Sequence, residues 1–250
     1  MVFRRPDGSL AGGLTSRLAA RVLAPLLLAA PGPALAQAYQ CSIPAGSIVV
    51  PSIEGGTEVR ARVTGYTLAA SWSPEYCRTR ARSVRDARQC SGRSGRFGMV
   101  LHGLWPEGAG RSPQWCGTAR RPSAADLRPL MCASPSARLL AHEWAKHGSC
   151  MTRHPARYFA VQMELWTAIR WPDFDRLSRS RRLTAGELRR LIEEANPRWK
   201  AGGIGIQVNR RGWLEGVRLC YGLDYRPRPC RPGQLGPADG ARVLIWRGLL

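Results

Sequence analysis

The chain has 250 residues, 44% of them hydrophobic, which is enough for one sizeable domain with a real core. It shows no internal repeat and no long low-complexity tract, which excludes a repeat array. The formal charge of +21 points to a polyanionic partner, nucleic acid or an anionic surface, although only two of the 38 basic residues are lysine and part of the charge reflects an arginine bias.

Residues 1–36 stand apart. Arg4, Arg5, Arg17 and Arg21 precede the apolar run VLAPLLLAAPGPALA (Val22 to Ala36), which ends in Ala34-Leu35-Ala36. A charged start, an apolar stretch and an A-x-A site predict a signal peptide over 1–36 and a mature domain over 37–250. An uncleaved anchor fits less well, because the run is short for a span and carries Pro25, Pro31 and Pro33. No other stretch could cross a bilayer, so no stable membrane association is expected once the leader is gone. The eight cysteines, Cys41, Cys77, Cys90, Cys116, Cys132, Cys150, Cys220 and Cys230, all follow the leader. An even count in an exported chain suggests disulfides, and the absence of a C-x-x-C pair argues against a zinc ribbon or a thioredoxin-like motif. Spacing alone does not choose among the possible pairings, on the order of a hundred.

The first predicted strand is GYTLAASWSP (Gly65 to Pro74), bulky and bounded by Gly and Pro. Residues 78–88 carry five arginines and read as a solvated loop between Cys77 and Cys90. A short apolar strand, Phe97 to Leu101, delivers His102 at its end, and Pro106 is expected to break any regular continuation. Helices are predicted over 137–147, over 156–171 and over 184–196, the last with Thr184 and Glu187 as a capping box and Pro197 as its stop. The strands GIGIQVN (203–209) and GWLEGVRLCY (212–221) follow, with a last short strand in ARVLIW (241–246). Strands before and after a block of helices predict an α+β fold with a mainly antiparallel central sheet.

The stretch AHEWAKHGSC (Ala141 to Cys150) holds two of the four histidines and one of the two lysines. At about 100° per residue, Lys146 falls about 40° from His142, Glu143 about 100° and His147 about 140°. The four ionisable groups therefore share one arc while Trp144 and Ala145 point away, and Gly148 ends the helix. HEWAKH only superficially matches the zinc motif H-E-x-x-H. Its histidines are at i and i+5 instead of i and i+4, and Lys146 would repel a metal, so no metal and no cofactor are expected. A histidine pair can move protons near neutral pH, and a lysine and a glutamate beside it can stabilise charge that develops in a transition state. Burying Glu, Lys and two His purely as packing would be costly. His154 lies in a polar loop and is given no role.

LHGLWPE (Leu101 to Glu107) and HEWAKHGSC (His142 to Cys150) resemble the two active-site segments of the ribonuclease T(2) family, exported endoribonucleases without base specificity. YTLAASWSPEYC and LEGVRLCYGLDYRPRPC resemble that family's first strand and its C-terminal strand with a short disulfide loop, so the likeness covers most of Tyr66 to Cys230 and is closest to the bacterial branch. The resemblance implies an α+β disulfide-stapled domain with bridges Cys77–Cys90, Cys116–Cys150 and Cys220–Cys230, leaving Cys41–Cys132. It implies RNA as substrate, with His147 as base and His102 as acid. Lys146 and Glu143 would stabilise the pentavalent phosphorus, and His142 would contact phosphate or assist binding. Trp105 is the candidate for stacking a base and Glu107 for contacting it. The aromatic partner expected further on has no clear match, GAGRSPQW offering only Trp115. The resemblance further implies cleavage of single-stranded RNA through a 2′,3′-cyclic phosphate to a 3′-phosphate, in the periplasm or outside the cell. A monomer is the default expectation.

Overall fold

The computed structural model describes residues 38–39, 41–117 and 120–248, so the expected leader lies outside the described residues. In chain order the elements are β1 (Ala38–Tyr39), β2 (Val63–Trp72), α1 (Ser73–Cys77), α2 (Ala87–Cys90), β3 (Arg96–Phe97), β4 (Met99–Gly108), α3 (Ala124–Leu127), α4 (Ala137–Lys146), α5 (Pro155–Thr167), α6 (Phe174–Leu177), α7 (Ala185–Ala195), β5 (Ile204–Val208), β6 (Leu214–Tyr221) and α8 (Pro232–Leu235). The fold is α+β. Four strands form an antiparallel sheet in the order β4-β2-β6-β5, and β1 pairs with β3 in a separate two-stranded ribbon.

Side chains alternate across a strand, so the register divides the large sheet into two unlike faces. One face carries Leu68, Ala70 and Trp72 of β2, Met99, Leu101 and Leu104 of β4, Val217 and Leu219 of β6, and Ile204 and Ile206 of β5; all are buried. The same core takes in Leu140 and Trp144 of α4, Tyr158 and Phe159 of α5, and Leu188 and Ile192 of α7. The other face is floored by small residues, Ala69, Gly103, Gly205 and Gly216, with Thr67, Ser71, Trp105, Glu107 and Arg218 standing on it. One face is thus a packed core and the other a polar lane.

Disulfides tie the ends of this lane down. They join Cys41 to Cys132, Cys77 to Cys90, Cys116 to Cys150 and Cys220 to Cys230. Cys116–Cys150 links the loop after β4 to the turn that follows α4, so it fastens together the two segments that carry the histidines.

Three expected boundaries are corrected. The strand carrying His102 does not end at Leu101, nor does Pro106 break it; it runs from Met99 to Gly108, with Pro106 opposite Tyr66. It is an edge strand, where a missing N–H costs no ladder bond. Residues 241–246 form no strand. Val243 and Ile245 are buried, but the backbone makes only isolated bridges, such as Trp213 with Leu244, so core burial accounts for the apolar run without a ladder. The helix expected over 156–171 ends at Thr167, and Ile169 and Trp171 join the core from a loop.

Candidate active site

A one-residue irregularity in β4 builds the first half of the site. Leu101 pairs with Ala70 and Gly103 with Ala69, which leaves His102 as the extra residue of a bulge. Bulges bend a strand and re-aim a side chain. Here the bulge turns the imidazole onto the polar lane, where the Ser71 hydroxyl lies 3.0 Å from Nδ1. Nε2 lies 3.5 Å from Glu143 Oε1, an ion pair when the ring is protonated. The next residue, Gly103, makes room for that carboxylate, since a Cβ at this position would overlap Glu143 Oε2.

The second half comes from α4. Ser136 caps the helix, its hydroxyl accepting from the Leu139 N–H at 3.2 Å. Leu140 and Trp144 fix its rotation by packing in the core, and the Trp144 indole donates to the Arg120 carbonyl at 2.9 Å. That rotation brings His142, Glu143, Lys146 and His147 to the lane. Gly148 then starts a 3-10 turn, and it is glycine for space: a Cβ there would press on the rings of Trp144 and Tyr158.

Glu143 is only 2% exposed. Burial alone would raise its carboxyl pKa. The hydrogen bond and charge of His102, the charge of His147 and the indole N–H of Trp105, 2.7 Å from Oε2, more than offset this and hold it below the usual range. Glu143 therefore stays ionised inside the fold.

His147 goes the other way. Its ring lies 5.5 Å from Trp105, and its buried Nδ1 has no hydrogen-bond partner among the described residues. Burial, together with the nearby charges of Lys146, His142 and His102, pushes its pKa down to about 4 despite the pull of Glu143. His142 is lowered too, by burial first and then by Lys146 and His102, against Glu143. The Trp115 ring stands edge-on to it at 5.3 Å. Trp115 itself has a positive φ of 55°, and its N–H donates to the Lys146 carbonyl at 2.7 Å. Lys146 is half-buried, close enough to depress both helix histidines.

Trp105 sits at the centre. His102 stands edge-on at 5.6 Å, His147 lies tilted at 5.5 Å, and the Arg218 guanidinium is 5.5 Å from the indole centroid. Glu107 is 8% exposed and turned inward. Its Oε1 accepts from Thr67 at 2.8 Å and from Gln234 at 2.9 Å, its Oε2 accepts from Ser112 at 2.9 Å, and Arg231 is 3.9 Å away. Each carboxylate oxygen offers about two lone pairs, so only Oε2 has acceptor capacity left. His154 is apart from this group and meets Arg120 at 2.7 Å. Among the described residues no group of three or more His, Cys, Asp or Glu side chains is placed to hold a metal ion.

The sequence model of the Ribonuclease T2 family matches residues 64–180, which span both histidine segments. An Aeromonas hydrophila protein named ribonuclease is 34% identical over 169 residues, covering 62% of this chain and 70% of that one. The chain belongs to the ribonuclease T2 family. A Haemophilus influenzae protein named probable ribonuclease is 33% identical over 188 residues, 70% of this chain, and the chain spans 64% of that relative's length. Among solved structures, trichomaglin, described as an S-like ribonuclease, superposes with a TM-score of 0.60 at 18% identity, over 74% of this chain and 98% of its own. RNase NT in complex with 5′-AMP gives 0.55 at 20%, over 74% and 98%. At such identities these two show a shared fold.

In this ribonuclease T2 family member, the structure adds residues that sequence reasoning passed over. Ser71 holds His102, Gly103 admits Glu143, and Arg218 covers part of Trp105. Ser71 and Arg218 carried a usable signal, because both alternate with core residues along their strands. Gly103 carried none, since its role depends on a side chain from another element.

Proposed function

We propose that this chain is a base-nonspecific endoribonuclease that cleaves single-stranded RNA by general acid–base transphosphorylation, leaving a 2′,3′-cyclic phosphate and then a 3′-phosphate. One observation carries the reading: two imidazoles flank the Trp105 ring in unlike settings. His147 has a buried Nδ1 without a hydrogen bond, and burial pushes its pKa down to about 4, whereas His102 is held between Ser71 and the Glu143 carboxylate. A neutral ring can accept a proton, and a ring beside a buried carboxylate can carry one.

RNA supplies its own nucleophile. His147 takes the proton of the ribose 2′-OH, and that oxygen bonds to the adjacent phosphorus. The bond from phosphorus to the 5′-oxygen breaks, and His102 gives its proton to the leaving oxygen. The products are a cyclic phosphate and a 5′-OH. In the slower second step water attacks phosphorus and loses a proton to His102, while His147 returns its proton to the departing 2′-oxygen. Lys146 stabilises the extra negative charge on the pentavalent phosphorus, and His142 contacts phosphate. Glu143 orients His102 and the Trp105 indole. Trp105 offers a stacking surface to a base, shared with Arg218, and Glu107 contacts the base through the free capacity of Oε2. The RNase NT complex with 5′-AMP is in keeping with a nucleotide-sized site on this fold.

The protein reaches an oxidising compartment, periplasmic or extracellular, through removal of residues 1–36, and works there as a monomer. Four disulfides and the absence, among the described residues, of a helix long and apolar enough to cross a membrane are in keeping with this.

The test is to incubate the purified mature protein with an RNA oligonucleotide in EDTA and identify the ends by mass spectrometry, with matching DNA as control. A cyclic phosphate from RNA alone is expected, because cleavage requires the 2′-OH. Intact RNA, cleavage of DNA, or cleavage only after metal is restored would each overturn the reading.

A further inference from the structure

The polar lane does not end at the histidines. Ser71, whose hydroxyl meets His102, lies near the end of β2, and two residues later Ser73 opens α1, at most about 7 Å further along the chain. The Ser73 hydroxyl accepts from the Gln89 amide at 3.0 Å, and both residues line a separate cleft of about 640 Å³.

Four arginines line this cleft, Arg78, Arg93, Arg96 and Arg247, and among the described residues no carboxylate does. Two of them are braced. Arg78 lies 4.7 Å from the Trp246 ring and 5.1 Å from the Trp213 ring, with Glu75 at 3.5 Å, and Arg247 is 3.4 Å from Asp175. Arg93 and Arg96 have no carboxylate within salt-bridge distance among the described residues, so their charge is directed at solvent. Trp246, 37% exposed, adds an aromatic wall, and the Cys77–Cys90 disulfide forms part of the rim and fixes it before any ligand arrives.

An evenly basic surface attracts polyanions without selecting a place. A concave site lined by four arginines, with no acid in its lining and an exposed indole, does select one, and this combination is the chemistry of single-strand binding. We propose that this cleft binds the phosphates of an RNA strand a few nucleotides away from the bond held between His102 and His147, so that the enzyme grips polymer beyond the cleavage point. The proposal rests on the ribonuclease reading above and adds a second contact region to it.

The test compares wild type with the Arg93→Ala/Arg96→Ala variant on two substrates, a dinucleotide too short to reach the cleft and an RNA of about twelve nucleotides, over a range of salt. The expected result is an unchanged kcat/KM on the dinucleotide and a clear loss on the longer RNA at low salt. The slope of log affinity for the longer RNA against log salt should become shallower by about 1.4, at about 0.7 per phosphate contact on a single strand. An Arg182→Ala/Arg190→Ala variant, changed at exposed positions on and before α7, controls for net charge. Equal loss in this control, equal loss on both substrates, or no change on the longer RNA would overturn the cleft as a site. Should the double variant fail to fold, Arg93→Ala alone, in an exposed turn, repeats the comparison. Failure of wild type to cleave even the dinucleotide would sink the ribonuclease reading itself, whereas a cleft without effect leaves that reading standing.

Discussion

The most discriminating prediction concerns the proton affinity of His147. Its pKa falls from 6.5 to about 4, chiefly through burial, with Lys146 adding repulsion. At about 1.4 kcal/mol for each tenfold change in proton affinity, the imidazolium is disfavoured by about 3 kcal/mol. A general base must be neutral to act, so kcat/KM, which reports the free enzyme, should hold down to near pH 4 on its acid side. Removing the lysine charge in Lys146→Met should move that limb upward toward 6.5, while Glu143→Gln, which removes the one group that raises the pKa, should move it lower. The assay is the pH profile of kcat/KM on a dinucleotide, paired with an NMR titration in which the His147 ring signals are assigned by their loss in His147→Ala. The same shift bears on stability. Between about pH 4 and 6.5 the unfolded chain binds a proton at this position that the folded chain does not, so stability falls as pH is lowered through that window. Glu143, whose folded pKa is depressed, acts in the same direction further down. A wild-type ring titrating near 6.5, or an acid limb that Lys146→Met leaves in place, would refute the assignment of His147 as a base desolvated in the free enzyme.

Three further outcomes follow from the geometry. His102→Ala and His147→Ala should each lower kcat by about 10²–10⁴-fold while circular dichroism shows the variant still folded at the assay temperature, as expected for loss of a proton-transferring group; a full-rate variant would remove that histidine from the mechanism. Gly103→Ala changes no ionisable group, yet its methyl would collide with the Glu143 carboxylate. We expect about 1–3 kcal/mol of destabilisation and a loss of kcat larger than any change in KM, read by thermal unfolding and steady-state kinetics. Replacing Cys41 and Cys132 by alanine opens a crosslink of separation 91 and should cost about 4–5 kcal/mol, against about 3 for the pair Cys220 and Cys230 at separation 10, provided chain entropy dominates; denaturant unfolding of both variants ranks them.

What was legible in the sequence was what element order and local periodicity control. The antiparallel sheet followed from the order of the elements, strands before and after a block of helices, and the arc of His142, Glu143, Lys146 and His147 followed from helix geometry once Leu140 and Trp144 took the core side. What was not legible depends on partners distant in sequence. Pro106 looked like a stop because proline lacks an N–H, but that lack matters only where a neighbour strand needs the donor, and β4 is an edge. ARVLIW looked like a strand because Val243 to Trp246 is a short bulky apolar run. Its backbone instead shares bonds among three segments, Val243 N–H with Leu183 and Leu244 N–H with Gly212, while the Leu244 carbonyl accepts from Leu214. Glu107 sits in a motif that reads as a substrate contact, but the motif gives no sign of the side chains of Thr67, Ser112 and Gln234 that donate to it and leave capacity only on Oε2.

The bulge at His102 shows why this site needs the whole fold. Without the extra residue, strict alternation after Leu101 would place Gly103 on the core face and leave Trp105 and Glu107 there with it. The inserted residue lets His102, Gly103 and Trp105 all reach the polar lane, and the missing side chain at Gly103 admits the carboxylate that both rings need. Two histidines at nearly the same distance from one indole thereby acquire opposite surroundings. His102 has a hydroxyl and an anion, while His147 has a buried, unpartnered nitrogen and a lysine nearby. Two identical groups in identical settings would share one proton affinity and could not divide acid from base. Under the proposed mechanism that division comes from the asymmetry around Trp105, and it is why changes at uncharged positions such as Gly103 and Ser71 should alter the pH profile as well as the rate.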